Sequence, residues 1–144
     1  MKKMTVLIVL VMLFSSCAGQ PPANLGIEKE RLAECPDKKN CVSSQSVNKD
    51  FFIEPFVYKS SREAAFKKLK KSIESFERFK RVEESETYLR YECTSAVMGF
   101  VDDLEFHFPE DKIIHVRSAS RVGYSDFGVN RKRVEDLRKL FYSE

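Results

Sequence analysis

Residues 101–122 read VDDLEFHFPEDKIIHVRSASRV, two alternating runs joined by Pro109-Glu110-Asp111, and they decide the fold. Leu104, Phe106 and Phe108 recur at every second position of the first run, as Ile114 and Val116 do in the second. Successive side chains of a strand point to opposite faces, so both apolar sets reach one core only if the runs pair in phase as an antiparallel hairpin. The other face follows by parity: Asp103, Glu105 and His107 on one strand, His115, Arg117, Ala119 and Arg121 on the next. Either allowed register sets an acid opposite or diagonal to Arg117. Arg117 and Arg121 stand roughly 13 Å apart at about 3.3 Å per residue, and with only Ala119 between them an open cationic notch is expected.

Outward from this hairpin, strand patterns occupy residues 81–84 and 87–95, separated by Ser85-Glu86. A further strand at 52–58 contains Pro55 and belongs at a sheet edge. Ser60 followed by Glu63 is a capping-box signature, and Phe66, Leu69, Ile73 and Phe76 continue it at helical spacing, predicting a helix over 61–79. Val134, Leu137, Leu140 and Phe141 share one face of a final helix. Sequential strands with short connections, plus two helices, predict an α+β fold: an antiparallel sheet of about four to five strands with both helices packed on one face.

The densest run of unusual residues is RSASRVGYSDFGVNRKR at 117–133. Gly123 and Gly128 suit a shaped loop, and Asn130 suits a helix cap. Arg131, Lys132 and Arg133 then fall in the first helical turn, where the macrodipole disfavours cations by roughly 0.3 to 1 kcal/mol each. Either the nearby acids Asp126, Asp102 and Asp103 offset this, or a bound anion does. Arg117, Arg121, Tyr124, Asp126, Asn130, Arg131 and Arg133, with Asp102, Asp103 and Glu105, therefore form a candidate ligand site. The plainer reading of the same residues is a solvated sheet face with cross-strand ion pairs.

Catalytic patterns are weak. His107, His115 and Glu105 make at best a partial metal set, and neither a metal nor a cofactor is expected. Ser118 and Ser120 point away from both histidines, and Asp102 and Asp103, as strand neighbours, cannot form one dyad. There is no Gly-rich phosphate loop. A non-catalytic binding module is therefore favoured over its rival, a hydrolase or transferase acting on an anionic substrate with arginine clamps and an aspartate acid or base.

At the other end of the chain, Lys2-Lys3, an apolar run from Met4 to Phe14 and Ser15-Ser16-Cys17 have the layout of a bacterial lipoprotein signal, although Phe14 stands where such signals more often carry Leu. The run is well short of the roughly 20 residues of a spanning helix. Residues 1–16 are thus expected to be a cleaved signal, 17–31 a flexible tether acylated at Cys17 and containing Gly19, Pro21, Pro22 and Gly26, and 32–144 a single domain. By resemblance to Gram-negative lipoproteins, Ala18 in place of Asp after the cysteine implies the outer rather than the inner membrane, with the domain facing the periplasm.

Loss of Lys2 and Lys3 from 25 Lys and Arg leaves 23 against 22 Asp and Glu, which argues against nucleic acid as a partner. The expected partners are the membrane, through the lipid, and an anionic small molecule, lipid headgroup or envelope protein. Cys35 and Cys41 flank a short polar loop and suit a disulfide in an oxidising compartment better than a metal site, which would need further ligands nearby. Cys93 shares the apolar side of its strand with Leu89 and Tyr91, as a buried thiol would.

Three groups of residues resemble a known family. They are Cys35-Pro36 with Asn40-Cys41-Val42-Ser43-Ser44; Gly99-Phe100-Val101-Asp102-Asp103; and Arg117-Ser118-Ala119-Ser120-Arg121 with Gly123, Asp126, Gly128, Asn130, Arg131 and Arg133. Together they are similar to the domain-of-unknown-function family numbered 1499, over about residues 32–141. The resemblance implies a compact domain often carried by membrane-attached chains, and implies no established activity or catalytic residue.

Overall fold

The computed structural model describes residues 18–143; Cys17 and the expected signal lie outside the described residues. Among the described residues, eight strands and two helices follow in the order β1 (Ile27–Glu28), β2 (Arg31–Leu32), β3 (Cys41–Ser43), β4 (Phe56–Val57), α1 (Arg62–Ile73), β5 (Phe79–Glu84), β6 (Tyr88–Thr94), β7 (Val101–His107), β8 (Ile113–Ser120) and α2 (Val129–Ser143). The main sheet is six-stranded and antiparallel, in the order β3-β8-β7-β6-β5, and β4 pairs β8 beside β3. β7 and β8 pair in phase, with Glu105 opposite Arg117, Phe106 opposite Val116 and His107 opposite His115. The fold is α+β, as expected, and the short edge strands β3 and β4 divide the free side of β8 between them. Pro55 directly precedes β4, the edge position its missing N–H requires.

One sheet face carries Leu89, Tyr91, Cys93, Leu104, Phe106, Phe108, Ile114 and Val116, which pack with Leu69 and Ile73 of α1 and Val134, Leu137 and Phe141 of α2. The helices depart from expectation at their ends. Ser61, one residue later than expected, caps α1 by accepting from Ala64 N. α1 stops at Ile73, where Ser72 and Ser75 hydroxyls turn back to the Lys68 and Ser72 carbonyls. Such bonds compete with the helical ladder. Phe76 leaves the helix and stacks on Phe79, ring centroids 4.9 Å apart. Leu140 is on the rim of α2 rather than in the core, at 37% exposure.

The opposite face of the sheet is not solvated. Asp103, Glu105, His107 and Arg117 are all buried there, because residues 18–34, of which 18–31 were expected to belong to a tether, run along that face as a third layer. β1 and β2 form a small hairpin within it. The layer is fastened by Gly26 N donating to Glu105 Oε1 (2.9 Å), Leu32 N to Gln45 Oε1 (2.8 Å) and Arg31 to the Gln45 carbonyl (2.7 Å). At its start, the Gly19 backbone lies so close to the end of β8 that a Cβ there would sit 2.9 Å from Arg121 Cβ and 3.0 Å from Val122 Cγ1. Only glycine fits that approach. No helix among the described residues is long and apolar enough to cross a membrane.

Candidate functional site

Parity along β7 and β8 splits the expected site residues into two groups on opposite sides of the sheet. On the covered face, Glu105 accepts from Arg117 Nη1 (2.9 Å), Tyr88 OH (2.8 Å) and Gly26 N (2.9 Å). Burial and the neighbouring carboxylate raise the Tyr88 phenol well above its ordinary range, so it stays protonated as a donor. Asp103 receives Arg121 through Nε and Nη2, both at 2.8 Å, and Arg90 Nη1 at 3.0 Å, while Arg121 also reaches Glu92. These acids hold the Arg121 guanidinium above its already high pKa. The notch beside Ala119 is therefore neither open nor cationic: three arginines meet three carboxylates, and the N-terminal layer covers them. A small cavity of about 290 Å³ remains between Asn40, Arg117, Ala119 and the Pro22–Asn24 stretch.

On the helix side, Asp102 accepts from Arg133 Nη2 (2.6 Å). Arg133 Nη1 also reaches Asn130 Oδ1 (2.6 Å) and Ser118 Oγ (3.1 Å). Asn130, expected as a cap, lies fully buried inside α2; its amide donates to the Asn40 carbonyl, Ser120 Oγ and Asp126 Oδ2. The anion at the helix start is Asp126, which takes Gly128 N (2.9 Å) and Asn130 N (2.8 Å). Local acids thus offset the cations of the first turn. Arg131 differs from its neighbours, donating to the carbonyls of Phe52 (2.9 Å) and Asp50 (3.0 Å). Cys93 is buried near Asp102 and Arg133, and burial pushes its thiol up to about 12, which keeps it from acting as a nucleophile at neutral pH. Asp102 and Asp103 face opposite sides and each is committed to an arginine, so no acid–base pair with a free arginine clamp forms here.

Cys35 and Cys41 form a disulfide, and its turn is stitched to the loop after β8. Asp126 N donates to the Lys39 carbonyl (3.0 Å), Asn40 Nδ2 to the Gly123 carbonyl (2.7 Å) and Ser120 N to the Asn40 carbonyl (2.9 Å). Beside this seam opens a cleft of about 490 Å³, lined by Asp37, Lys38, Lys39, Asn48, Asp50, Phe51, Tyr124, Ser125, Asp126 and Arg131 among others. Of the expected site residues, only Tyr124, Asp126 and Arg131 reach it. Lys38 and Lys39 were not among them; the signal was their place inside the disulfide loop. No group of three or more His, Cys, Asp or Glu side chains among the described residues is arranged to hold a metal ion.

The seam joins two of the three sequence groups that carried the family resemblance, and the third, through Asp102, is tied to α2 by Arg133. A family model described as "Protein of unknown function (DUF1499)" matches residues 31–141. No curated protein matches the chain. With the match spanning the sheet, both helices and the cleft, the chain belongs to the DUF1499 family.

Proposed function

We propose that this chain is a lipid-anchored protein of the bacterial envelope, acylated at Cys17, facing the periplasm and favouring the outer membrane. In this role it is a non-catalytic accessory module that binds an anionic group of a ligand or partner in the cleft between the disulfide turn and residues 123–128. The observation that supports binding there is the convergence of exposed Lys38 and Lys39, Arg131 and the exposed Tyr124 ring on one concavity. Arg117, Arg121 and Arg133 act as scaffold, since each already holds a carboxylate. The anchor rests on the Lys-Lys, apolar run and Ser-Ser-Cys order of residues 2–17.

Two measurements test this. Metabolic palmitate should label the wild type and not Cys17→Ser; equal labelling of both, or none, ends the anchor. Titration of the isotope-labelled protein with inorganic phosphate and with glycerol phosphate should move the amide signals of Lys39, Ser125 and Arg131. Lys38→Glu with Lys39→Glu should weaken that binding about tenfold, about 1.4 kcal/mol. Signals that stay still, or shifts that the double variant leaves intact, would remove the anion from the proposal.

A further inference from the structure

We infer that the sheet end against which Gly19 packs docks on the bilayer surface, with Val97, Met98 and Phe127 entering the headgroup layer. This rests on the lipid anchor proposed above and adds an orientation and a second membrane contact to it.

Register brings the relevant loops together. Thr94 pairs with Val101 and Asp102 with Ser120, so residues 95–100, between β6 and β7, and residues 121–128, after β8, lie at one end of the sheet. The disulfide turn joins them there through the Lys39–Ser125 bridge. Six of the ten exposed large apolar side chains among the described residues belong to this end: Val97, Met98, Phe100, Tyr124, Phe127 and Val129. Phe127 is 97% exposed and Val97 91%.

Phe127 is held out rather than left loose. Its φ is +54° and that of Gly128 is +84°. The turn is pinned by Gly128 N to Asp126 Oδ1 and by Phe127 N to Ser125 Oγ. A left-handed backbone on a bulky residue is strained, and in water this strain only exposes an aromatic ring.

Chain geometry supplies the occupant. Gly19 is fixed against Arg121 and Val122 at this same end, two residues from Cys17. Two extended residues span only about 7 Å. An acylated Cys17 therefore brings this end, and not another, against the headgroups. Charge agrees in sign: exposed Lys38 and Lys39, with Asp37 beside them, flank the apolar tips, whereas the opposite end carries exposed Glu86, Glu110 and Asp111 with Lys112. Basic residues beside inserted apolar ones suit a surface containing anionic lipid.

The chain contains no Trp, so one introduced indole reports alone. Phe127→Trp and Val97→Trp, on separate loops, are compared with Glu86→Trp at the far end. Each full chain is purified with its anchor and reconstituted in vesicles of phosphatidylethanolamine and phosphatidylglycerol. Mass spectrometry of the same samples reads the lipid on Cys17. Docking predicts a blue-shifted emission, quenched by brominated acyl chains, for the two tip variants and neither effect for Glu86→Trp. A lipidated chain whose tip indoles stay as solvent-like as the control overturns the docking while the anchor stands. An unlipidated chain overturns the anchor, and the docking with it.

Discussion

Glu105 has no exposed surface and gathers a guanidinium, a phenol and a backbone N–H from three different parts of the chain. Removing the guanidinium leaves a buried carboxylate with two hydrogen bonds but no counter-ion, and the cost of breaking such a pair is about 3 to 5 kcal/mol. Arg117→Met should therefore lower the urea midpoint sharply. Adding Glu105→Leu should recover more than half of the loss, because the stranded carboxylate goes with it. Equal midpoints for the single and double variants would show that the pair, and not the isolated charge, sets the stability. That an acid would stand opposite or diagonal to Arg117 was legible in the alternation of Leu104, Phe106 and Phe108 against Ile114 and Val116; that it is Glu105 was not. Their burial was not, because charged residues at alternate positions of a strand carry the pattern of a wet face, and nothing in that pattern encodes a covering segment.

At the scale of elements, α2 depends on a residue outside it. Asp126 accepts from two backbone N–H groups and from the Asn130 amide, so it answers both the open helix end and the cations at Arg131, Lys132 and Arg133. Asp126→Ala should cost about 1 to 2 kcal/mol, and Asp126→Asn less, since the amide oxygen still accepts while the charge is lost. Thermal melts of both variants check this; identical losses would assign the effect to shape alone. Helical periodicity placed α1 and α2 well, but their ends were set by hydrogen bonds that periodicity does not carry: Ser61 rather than Ser60, and Asp126 rather than Asn130. β1, β2 and β3 are two or three residues long, too short for alternation to reveal. The glycines and prolines before them read as a linker, though Gly19 is where the backbone packs against Arg121 and Val122, just past β8.

Taken as a whole, the molecule is a sheet between two unlike covers, helices on one side and an extended segment on the other. His107 and His115 face each other across β7 and β8 under the extended cover, ring centroids 6.2 Å apart. Ser44 Oγ accepts from Val116 N and lies 3.1 Å from His115 Nδ1, within hydrogen-bond distance of a neutral ring in either tautomer. Burial lowers both pKa values from 6.5, most strongly for each, and the charge of His107 depresses His115 further; Glu30 beside His107 opposes this only in part. With folded values below the unfolded one, the unfolded chain binds more protons as pH falls below about 6.5. Stability should be full above that pH and decline beneath it, as the unfolded chain takes up the protons that the folded one resists. Melting temperatures between pH 7 and pH 5 should fall less steeply for a His107→Gln, His115→Gln variant; parallel curves would shift the acid response to other groups. The extended cover also dictates an order of assembly. Its support, the β7–β8 hairpin, lies some 70 to 100 residues further along the chain, and β3 cannot find Ala119 until β8 exists. The bridge from Cys35 to Cys41 spans only six positions and can close at once. The part of the domain made first is thus the last to settle, and a chain that delivers it unattached has nothing to fold prematurely against.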